Sequence, residues 1–208
     1  MKLKVCGMRY SKNIINLAKI MPDYIGFIFW ENSKRFVSNS TPDLVEPVKK
    51  VGVFVNASLE YIKDCIDAHK LKAVQLHGNE SPEQCGELAE VDVEVIKTFT
   101  IQREFDFSET VVYESVCDYF LFDTKGELPG GNGLHFDWNV LKDYHSKKPF
   151  FLSGGIGPND CVAIASIIKL NLPLYAIDVN SKFEVEPGFK NIQRIKEFKS
   201  KLNDEISG

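Results

Sequence analysis

The sequence predicts a single (β/α)8 TIM barrel with parallel strands, forming one catalytic domain over residues 1–208. Short apolar runs alternate with amphipathic segments along the whole chain, and about eight strand–helix units of roughly 26 residues fill its 208 residues. Parallel strands need crossover connections, which are usually helices, so this alternation indicates a parallel sheet. An open doubly wound sheet has the same local pattern, and periodicity alone does not separate the two architectures.

The predicted strands are short apolar segments, and turn-forming or polar residues follow them. They cover residues 3–6, 24–29, 50–55, 73–76, 94–98, 119–122, 149–152 and 175–178. Apolar periodicity predicts helices near residues 14–21 and 59–66, and over residues 81–89, 138–144, 161–168 and 192–202. Ser81-Pro82 and Gly157-Pro158 are typical of helix starts. Helices are also predicted in the segment after the second strand and over residues 105–113, where proline or poor periodicity blurs the pattern.

Charge and cysteine content restrict the cellular setting and the partners. The net charge is −4 and no basic cluster is present, so neither nucleic acid nor a membrane surface is an expected partner. The five cysteines are scattered without metal-ligand spacing, which favours a reducing compartment. No apolar run approaches the roughly 20 residues of a membrane span. We therefore expect a cytoplasmic protein, either a monomer or a homodimer.

Unusual polar residues follow the predicted strands, at the ends where a barrel builds its active site. Cys6, His77, Asp123, Ser153 and Asp178 occupy such positions. Cys6 is either a small buried residue or a reactive thiolate that acts as a base. Asp123 either caps a loop or, with its pKa raised by partial burial, donates a proton. A base and an acid at one barrel mouth are what a proton-transferring isomerase needs.

Two turns are candidates for a phosphate site. Gly154 and Gly155 follow the seventh strand, where glycines let backbone N–H groups face an anion. Asn180 and Ser181 follow the eighth strand, one βα unit later. The pairing of these two turns indicates a small phosphorylated ligand.

Two further residues are candidates for substrate binding. Arg35 lies in the loop after the second strand, and its planar guanidinium can bind a carboxylate through two hydrogen bonds. Its neighbour Lys34 is interpreted as a solvated surface charge. His77 either binds the ligand or is an ordinary histidine at the end of its strand. The sequence has no two-histidine metal motif, no Walker loop and no GxGxxG fingerprint after a strand, so neither metal nor cofactor is expected.

Segments that run in order over almost the whole chain resemble the phosphoribosylanthranilate isomerase family, the barrel enzymes of tryptophan biosynthesis. They are KVCGM at 4–8, GFIF at 26–29, SKR at 33–35, VGVFVN at 51–56, VQLHG at 74–78, LFDT at 121–124, GGNG at 130–133, FDW at 136–138, LSGGI at 152–156, DVNS at 178–181, Glu184, and PG at 187–188.

The resemblance implies an Amadori rearrangement of N-(5-phosphoribosyl)anthranilate to 1-(2-carboxyphenylamino)-1-deoxyribulose 5-phosphate, without cofactor. In that reaction Cys6 would be the general base and Asp123 the general acid. Arg35 would hold the anthranilate carboxylate, and His77 and Asp178 would lie beside the substrate.

The resemblance also places the phosphate at Gly154, Gly155, Asn180 and Ser181. The family's turn usually reads Ser-Gly-Val-Glu, whereas residues 181–184 of this chain read Ser-Lys-Phe-Glu. Lys182 therefore replaces a glycine, and its ammonium is a candidate for compensating contact with phosphate.

Other phosphate-binding barrels need different residues at these positions. A sugar-phosphate epimerase normally brings a metal cluster. The related aminoimidazole-carboxamide ribonucleotide isomerase uses paired carboxylates, with aspartate rather than Cys6 after the first strand. A catalytically silent barrel that only binds a phosphorylated ligand would keep the phosphate loops and lose Cys6 or Asp123, but both are present.

Overall fold

The computed structural model describes residues 1–102, 104–124 and 138–207, and its main feature is a closed barrel of eight parallel strands. The strands are β1 (Lys2–Val5), β2 (Tyr24–Ile28), β3 (Lys49–Phe54), β4 (Ala73–Leu76), β5 (Glu94–Ile101), β6 (Tyr119–Thr124), β7 (Phe150–Ser153) and β8 (Leu174–Val179). Each strand pairs with the next, and β8 pairs with β1. This closure confirms the predicted barrel and excludes the open sheet. The predicted strand ends differ from the observed ends by at most three residues.

The described residues contain five α-helices, which pack outside the strands. They are α1 (Ser11–Ala18), α2 (Leu59–His69), α3 (Pro82–Ala89), α4 (Cys161–Ile168) and α5 (Ile192–Ser207). The starts of α2 and α3 follow from local chemistry, because the hydroxyls of Ser58 and Ser81 each accept a hydrogen bond from a backbone N–H three residues later. In this part of the chain, no helix is both long and apolar enough to cross a membrane.

Two of the helix predictions were wrong in detail. Residues 138–144 were expected to form an α-helix, but Trp138–Asp143 forms a 3-10 helix. Six residues are too few to offset the cost of starting an α-helix, and short segments of this kind often adopt the tighter form. The helix predicted over residues 161–168 is confirmed as α4, but the start signal at Gly157-Pro158 lies before it. The Asp160 carboxylate accepts the Gly157 N–H at 2.7 Å and holds these preceding residues in a turn.

Helices were also expected after β2 and over residues 105–113, but neither segment contains an α-helix. Phe107–Tyr113 is a 3-10 helix, and residues 29–48 form turns and bends. After β8 the chain makes a 3-10 turn, Ser181–Phe183, followed by the hairpin strands β9 (Glu184–Glu186) and β10 (Phe189–Lys190). The glycine-rich segment 130–133 and residues 136–137 lie outside the described residues.

The alternation of side chains along each strand separates the outer core from the barrel interior. On β1, Leu3 and Val5 are buried in the hydrophobic core that the helices cover. The intervening Lys4 points into the barrel, where it meets Asp178 of β8, and Cys6 continues on the same inner face. On β1 the inner face therefore carries polar residues, whereas the outer face packs against the helices.

Aromatic residues close the end of the barrel at which the strands begin. Phe151 and Tyr24 are fully or almost fully buried, with ring centroids 5.3 Å apart. Tyr119 stacks on Tyr175 at 4.5 Å, and the Tyr24 hydroxyl lies 3.2 Å from that of Tyr175. This aromatic floor leaves the opposite end of the interior available for a ligand.

We expect Phe151→Ala to lower the free energy of unfolding by about 3–5 kcal/mol, because it removes a buried ring and leaves a cavity in the floor. Phe151 has no exposed surface and touches three tyrosine rings. Urea unfolding measures the change. As a control, Val112→Ala alters a side chain that is 61% exposed and should shift stability by less than about 0.5 kcal/mol. Equal effects of the two substitutions would contradict the role assigned to the floor.

Candidate active site

A cavity of about 310 Å³ lies at the end of the barrel where the strands finish. The sequence singled out nine site residues, and eight of them line this cavity: Cys6, His77, Asp123, Gly154, Gly155, Asp178, Asn180 and Ser181. Ile28, Trp30, Val53, Val55 and Ile156 supply apolar walls. Polar groups that converge on a partly apolar cleft are typical of a site for a small molecule.

Cys6 directly follows β1, and only 5% of its surface is exposed. Its backbone N–H donates to Val179 O at 2.9 Å, which extends the pairing with β8. Gly26 on β2 makes room for the thiol, since a Cβ atom there would lie 2.9 Å from Cys6 Sγ. Burial raises the pKa of the Cys6 thiol, while the ammonium of Lys4 acts in the opposite direction.

Lys4 and Asp178 form a buried ion pair next to Cys6. Lys4 Nζ donates to Asp178 Oδ2 at 2.8 Å, and their side chains are 0% and 5% exposed. The other oxygen, Asp178 Oδ1, has no hydrogen-bond partner among the described residues. Burial raises the pKa of Asp178 despite the opposing effect of Lys4. Sequence reasoning did not propose Lys4, although a lysine two residues before Cys6 within an apolar strand was an available signal.

Asp123 lies on β6 and faces His77, which follows β4. Asp123 Oδ2 is 3.6 Å from His77 Nε2, and the Asp123 side chain is 22% exposed. Gln75 holds the other side of the imidazole, with its Nε2 2.8 Å from His77 Nδ1 and 3.2 Å from Thr98 Oγ1. When Gln75 donates to Nδ1, the imidazole proton lies on Nε2 and faces Asp123. Gln75 was not among the candidates from sequence.

Arg35 lies at the edge of the cavity, outside its lining residues. Its Nε and Nη2 donate to the two carboxylate oxygens of Glu184 at 2.8 and 2.6 Å. Glu184 Oε1 also accepts from Lys190 Nζ at 2.6 Å and from Gly188 N at 3.0 Å. Burial alone would raise the pKa of Glu184, but these donors lower it to about 2. One carboxylate therefore holds two cations beside the mouth of the barrel.

Gly7 allows Arg35 to approach the site. Its φ is +73°, and a Cβ atom there would lie 2.6 Å from Arg35 Cδ and 2.7 Å from Asn180 Oδ1. Asn180 Oδ1 also accepts from Lys190 Nζ at 2.6 Å. The guanidinium and the turn after β8 are thus joined through Lys190 and Glu184. Sequence reasoning missed Lys190, which is buried far from any predicted strand end.

The two glycines after β7 adopt conformations that favour glycine. The φ of Gly154 is +101° and that of Gly155 is +67°. A Cβ atom at Gly155 would meet nothing within 4 Å, so the backbone conformation rather than crowding calls for glycine there. Lys182 lies nearby, since a Cβ atom added at Gly157 would be 3.7 Å from its side chain. This turn and the turn of Asn180 and Ser181 after β8 line the same cavity. Their role in holding phosphate stays a prediction.

The chain is similar to proteins of one enzyme family. The family model for N-(5'-phosphoribosyl)anthranilate isomerase matches residues 3–201. The chain is 46% identical over 206 residues to the protein of that name from Parabacteroides distasonis, covering 95% of this chain and 91% of that protein. The crystal structure of phosphoribosyl anthranilate isomerase from Thermotoga maritima has a TM-score of 0.85 and 32% identity, covering 98% of this chain and 99% of the other.

A second solved structure carries a ligand. It is a phosphoribosyl anthranilate isomerase in complex with reduced 1-(o-carboxyphenylamino)-1-deoxyribulose 5-phosphate. Its TM-score is 0.82 and its identity 30%, and the match covers 98% of this chain and 99% of that chain.

We expect Glu184→Gln to reduce stability at neutral pH and to lose that effect in acid. The folded pKa of Glu184 is about 2, against an ordinary value of 4.5, so its ionised form stabilises the fold above pH 4.5. This contribution, at most about 3 kcal/mol, disappears as the pH falls from 4.5 to 2. Urea unfolding at several pH values measures the difference between the two proteins. Exposed Glu186→Gln serves as the control, and a wild-type-to-Glu184→Gln difference that stays constant with pH would contradict the interpretation.

Proposed function

Because the chain belongs to the N-(5'-phosphoribosyl)anthranilate isomerase family, we propose that Cys6 and Asp123 are the base and the acid of this isomerisation. The enzyme converts N-(5'-phosphoribosyl)anthranilate to 1-(2-carboxyphenylamino)-1-deoxyribulose 5-phosphate in tryptophan biosynthesis. The observation that best supports the proposed roles is that a thiol from β1 and a carboxyl group from β6 face one cavity.

The reaction needs two proton transfers, at the ring oxygen and at C2′, which are both bonded to C1′. Asp123 donates a proton to the ribose ring oxygen, and the bond from that oxygen to C1′ breaks to give an open-chain iminium ion. The iminium nitrogen then accepts the electron pair of the C2′–H bond as the Cys6 thiolate removes that proton. The resulting enolamine tautomerises to the ketone. Since the substrate nitrogen accepts the electrons, the steps balance without a cofactor or a metal ion.

The two charged ends of the substrate fit different walls of the site. Gly154, Gly155, Asn180 and Ser181 surround the phosphate in this proposal. Arg35 binds the anthranilate carboxylate. Its Nε and one Nη2 hydrogen are engaged with Glu184, so the Nη1 side of the guanidinium remains for the substrate.

The ribose lies between these two ends. His77 and Asp178 both line the cavity, and Asp178 Oδ1 is a free acceptor for a hydroxyl or amine proton of the substrate. We also propose that residues 1–208 act as one catalytic domain in the cytoplasm, as a monomer or a homodimer. Sedimentation of the purified protein measures the oligomeric state.

Cys6→Ala and Asp123→Asn should each lower kcat by about a hundredfold or more, as the loss of a positioned base or acid does. The measurement follows the disappearance of phosphoribosylanthranilate fluorescence, with the substrate generated in situ. Cys65→Ala, which alters a cysteine on α2 away from the cavity, is the matched control. Rates near that of the wild type in either variant would overturn the assignment.

Arg35→Ala should raise KM for phosphoribosylanthranilate by about tenfold or more with a smaller change in kcat, because it removes a charge-assisted carboxylate contact. The same substitution should barely change KM for the aniline analogue, which lacks the carboxylate. Lys34→Ala, at the exposed neighbouring position, is the control. An unchanged KM for the natural substrate would remove Arg35 from this role.

A further inference from the structure

Three cations lie around Cys6, and each comes from a different element. Lys4 belongs to β1, which Cys6 directly follows. Arg35, from the loop after β2, lies beside Gly7, and Lys190 of β10 binds Asn180, which also lies beside Gly7. Two carboxylates accompany them, with Asp178 paired to Lys4 and Glu184 paired to both Arg35 and Lys190. Three positive and two negative groups leave one positive charge beside the thiol. A thiolate at Cys6 would neutralise it.

Lys4 differs from the other two cations in its position. It lies two residues before Cys6 on the inner face of the same strand, and its side chain is completely buried. Its ammonium donates to Asp178, and the thiol of Cys6 follows on the same inner face of the strand. Arg35 and Lys190, in contrast, both donate to Glu184. Lys4 is therefore the cation with the most direct access to the sulfur.

We propose that Lys4 is a positioning residue that stabilises Cys6 as a thiolate, with its ammonium shared between Asp178 Oδ2 and Cys6 Sγ. The inference deepens the proposed function and rests on Cys6 as the base. A buried thiolate without a partner would be costly, and a buried ammonium one residue layer below it reduces that cost. Lys4 acts through Cys6, because the thiol lies between it and the open cavity.

Asp178 competes with the thiolate for the same ammonium. Among the groups that act on Cys6, burial and Asp178 raise the thiol pKa, and Lys4 and Lys190 lower it. His77 and Asp123 face the cavity from β4 and β6. Removal of the Asp178 charge should make Cys6 more acidic whether or not the ammonium is shared. The decisive comparison is therefore the loss of Lys4, with Asp178 present and with Asp178 replaced.

The test measures the thiol pKa of Cys6 in the substrate-free protein. The rate of alkylation by iodoacetamide is followed against pH, and mass spectrometry of the Cys6-containing peptide separates this thiol from the other four cysteines. Lys4→Met should raise the thiol pKa, so that alkylation at a given pH below it slows by about tenfold or more. Asp178→Asn should lower the pKa and speed alkylation. Lys2→Met, at an exposed position on the same strand, should leave the profile unchanged.

The double variant Lys4→Met/Asp178→Asn keeps the test decisive if Lys4→Met alone does not fold, since it leaves no buried unpaired carboxylate. Compared with Asp178→Asn, it should have the higher thiol pKa. An unchanged profile on loss of Lys4, or shifts in the same direction for Lys4→Met and Asp178→Asn, would overturn the proposal. Thermal unfolding verifies that each variant is folded.

Activity separates this inference from the proposed function. In Lys4→Met the acidic limb of the kcat/KM profile should move to higher pH, whereas a purely structural loss would lower the whole profile without moving it. If Cys6→Ala remains active while the alkylation profiles shift as expected, the base assignment fails and the coupling of Lys4 to Cys6 stands. If Cys6→Ala is inactive and Lys4→Met leaves the profiles unchanged, the inference about Lys4 fails alone.

Discussion

Barrel closure brings β1 against β8, and the Lys4–Asp178 ion pair lies at this junction. The two residues are 174 positions apart in the sequence. Cys6 continues β1 just above the pair, and Asn180 continues β8 beside it. The proposed base, the turn proposed for phosphate and the buried charges therefore all depend on the register in which the first and last strands meet. A buried ion pair is costly to break, so it favours one register over others.

Glu184 forms a second connection of this kind at the mouth of the barrel. It binds Arg35 from the loop after β2 and Lys190 from the hairpin after β8. Lys190 in turn binds Asn180. The residue proposed to hold the substrate carboxylate and a turn proposed to hold its phosphate are thus fixed relative to one another. In the proposed reaction, such a fixed separation would orient the ribose between acid and base.

Much of the fold could be predicted from sequence, because local signals carry it. Apolar runs located all eight strands, and Ser81-Pro82 marked the start of α3. The 3-10 helix Trp138–Asp143 was missed because a short apolar periodic segment does not reveal which helical form it adopts. Cys6 and Asp123 were found from their positions at strand ends, and the resemblance gave them roles.

The partners of the site residues could not be found in the same way. Arg35 and Glu184 are 149 residues apart, and nothing local shows that they meet. Gln75 and Lys4 lie inside strands that are buried on both faces, so the sequence does not show which face of each strand points into the barrel. Only the closed barrel reveals that these polar side chains share its interior.

The aromatic floor formed by Tyr24, Tyr119, Phe151 and Tyr175 restricts how ligands and solvent reach the barrel interior. In the described part of the chain it closes one end of the barrel, so the interior charges meet bulk water through the opposite mouth. In the proposed reaction, the substrate, the product and the protons exchanged between solvent and Cys6 or Asp123 all use the same passage. These molecules and protons therefore pass one after another. A bound ligand blocks the passage while the chemistry proceeds.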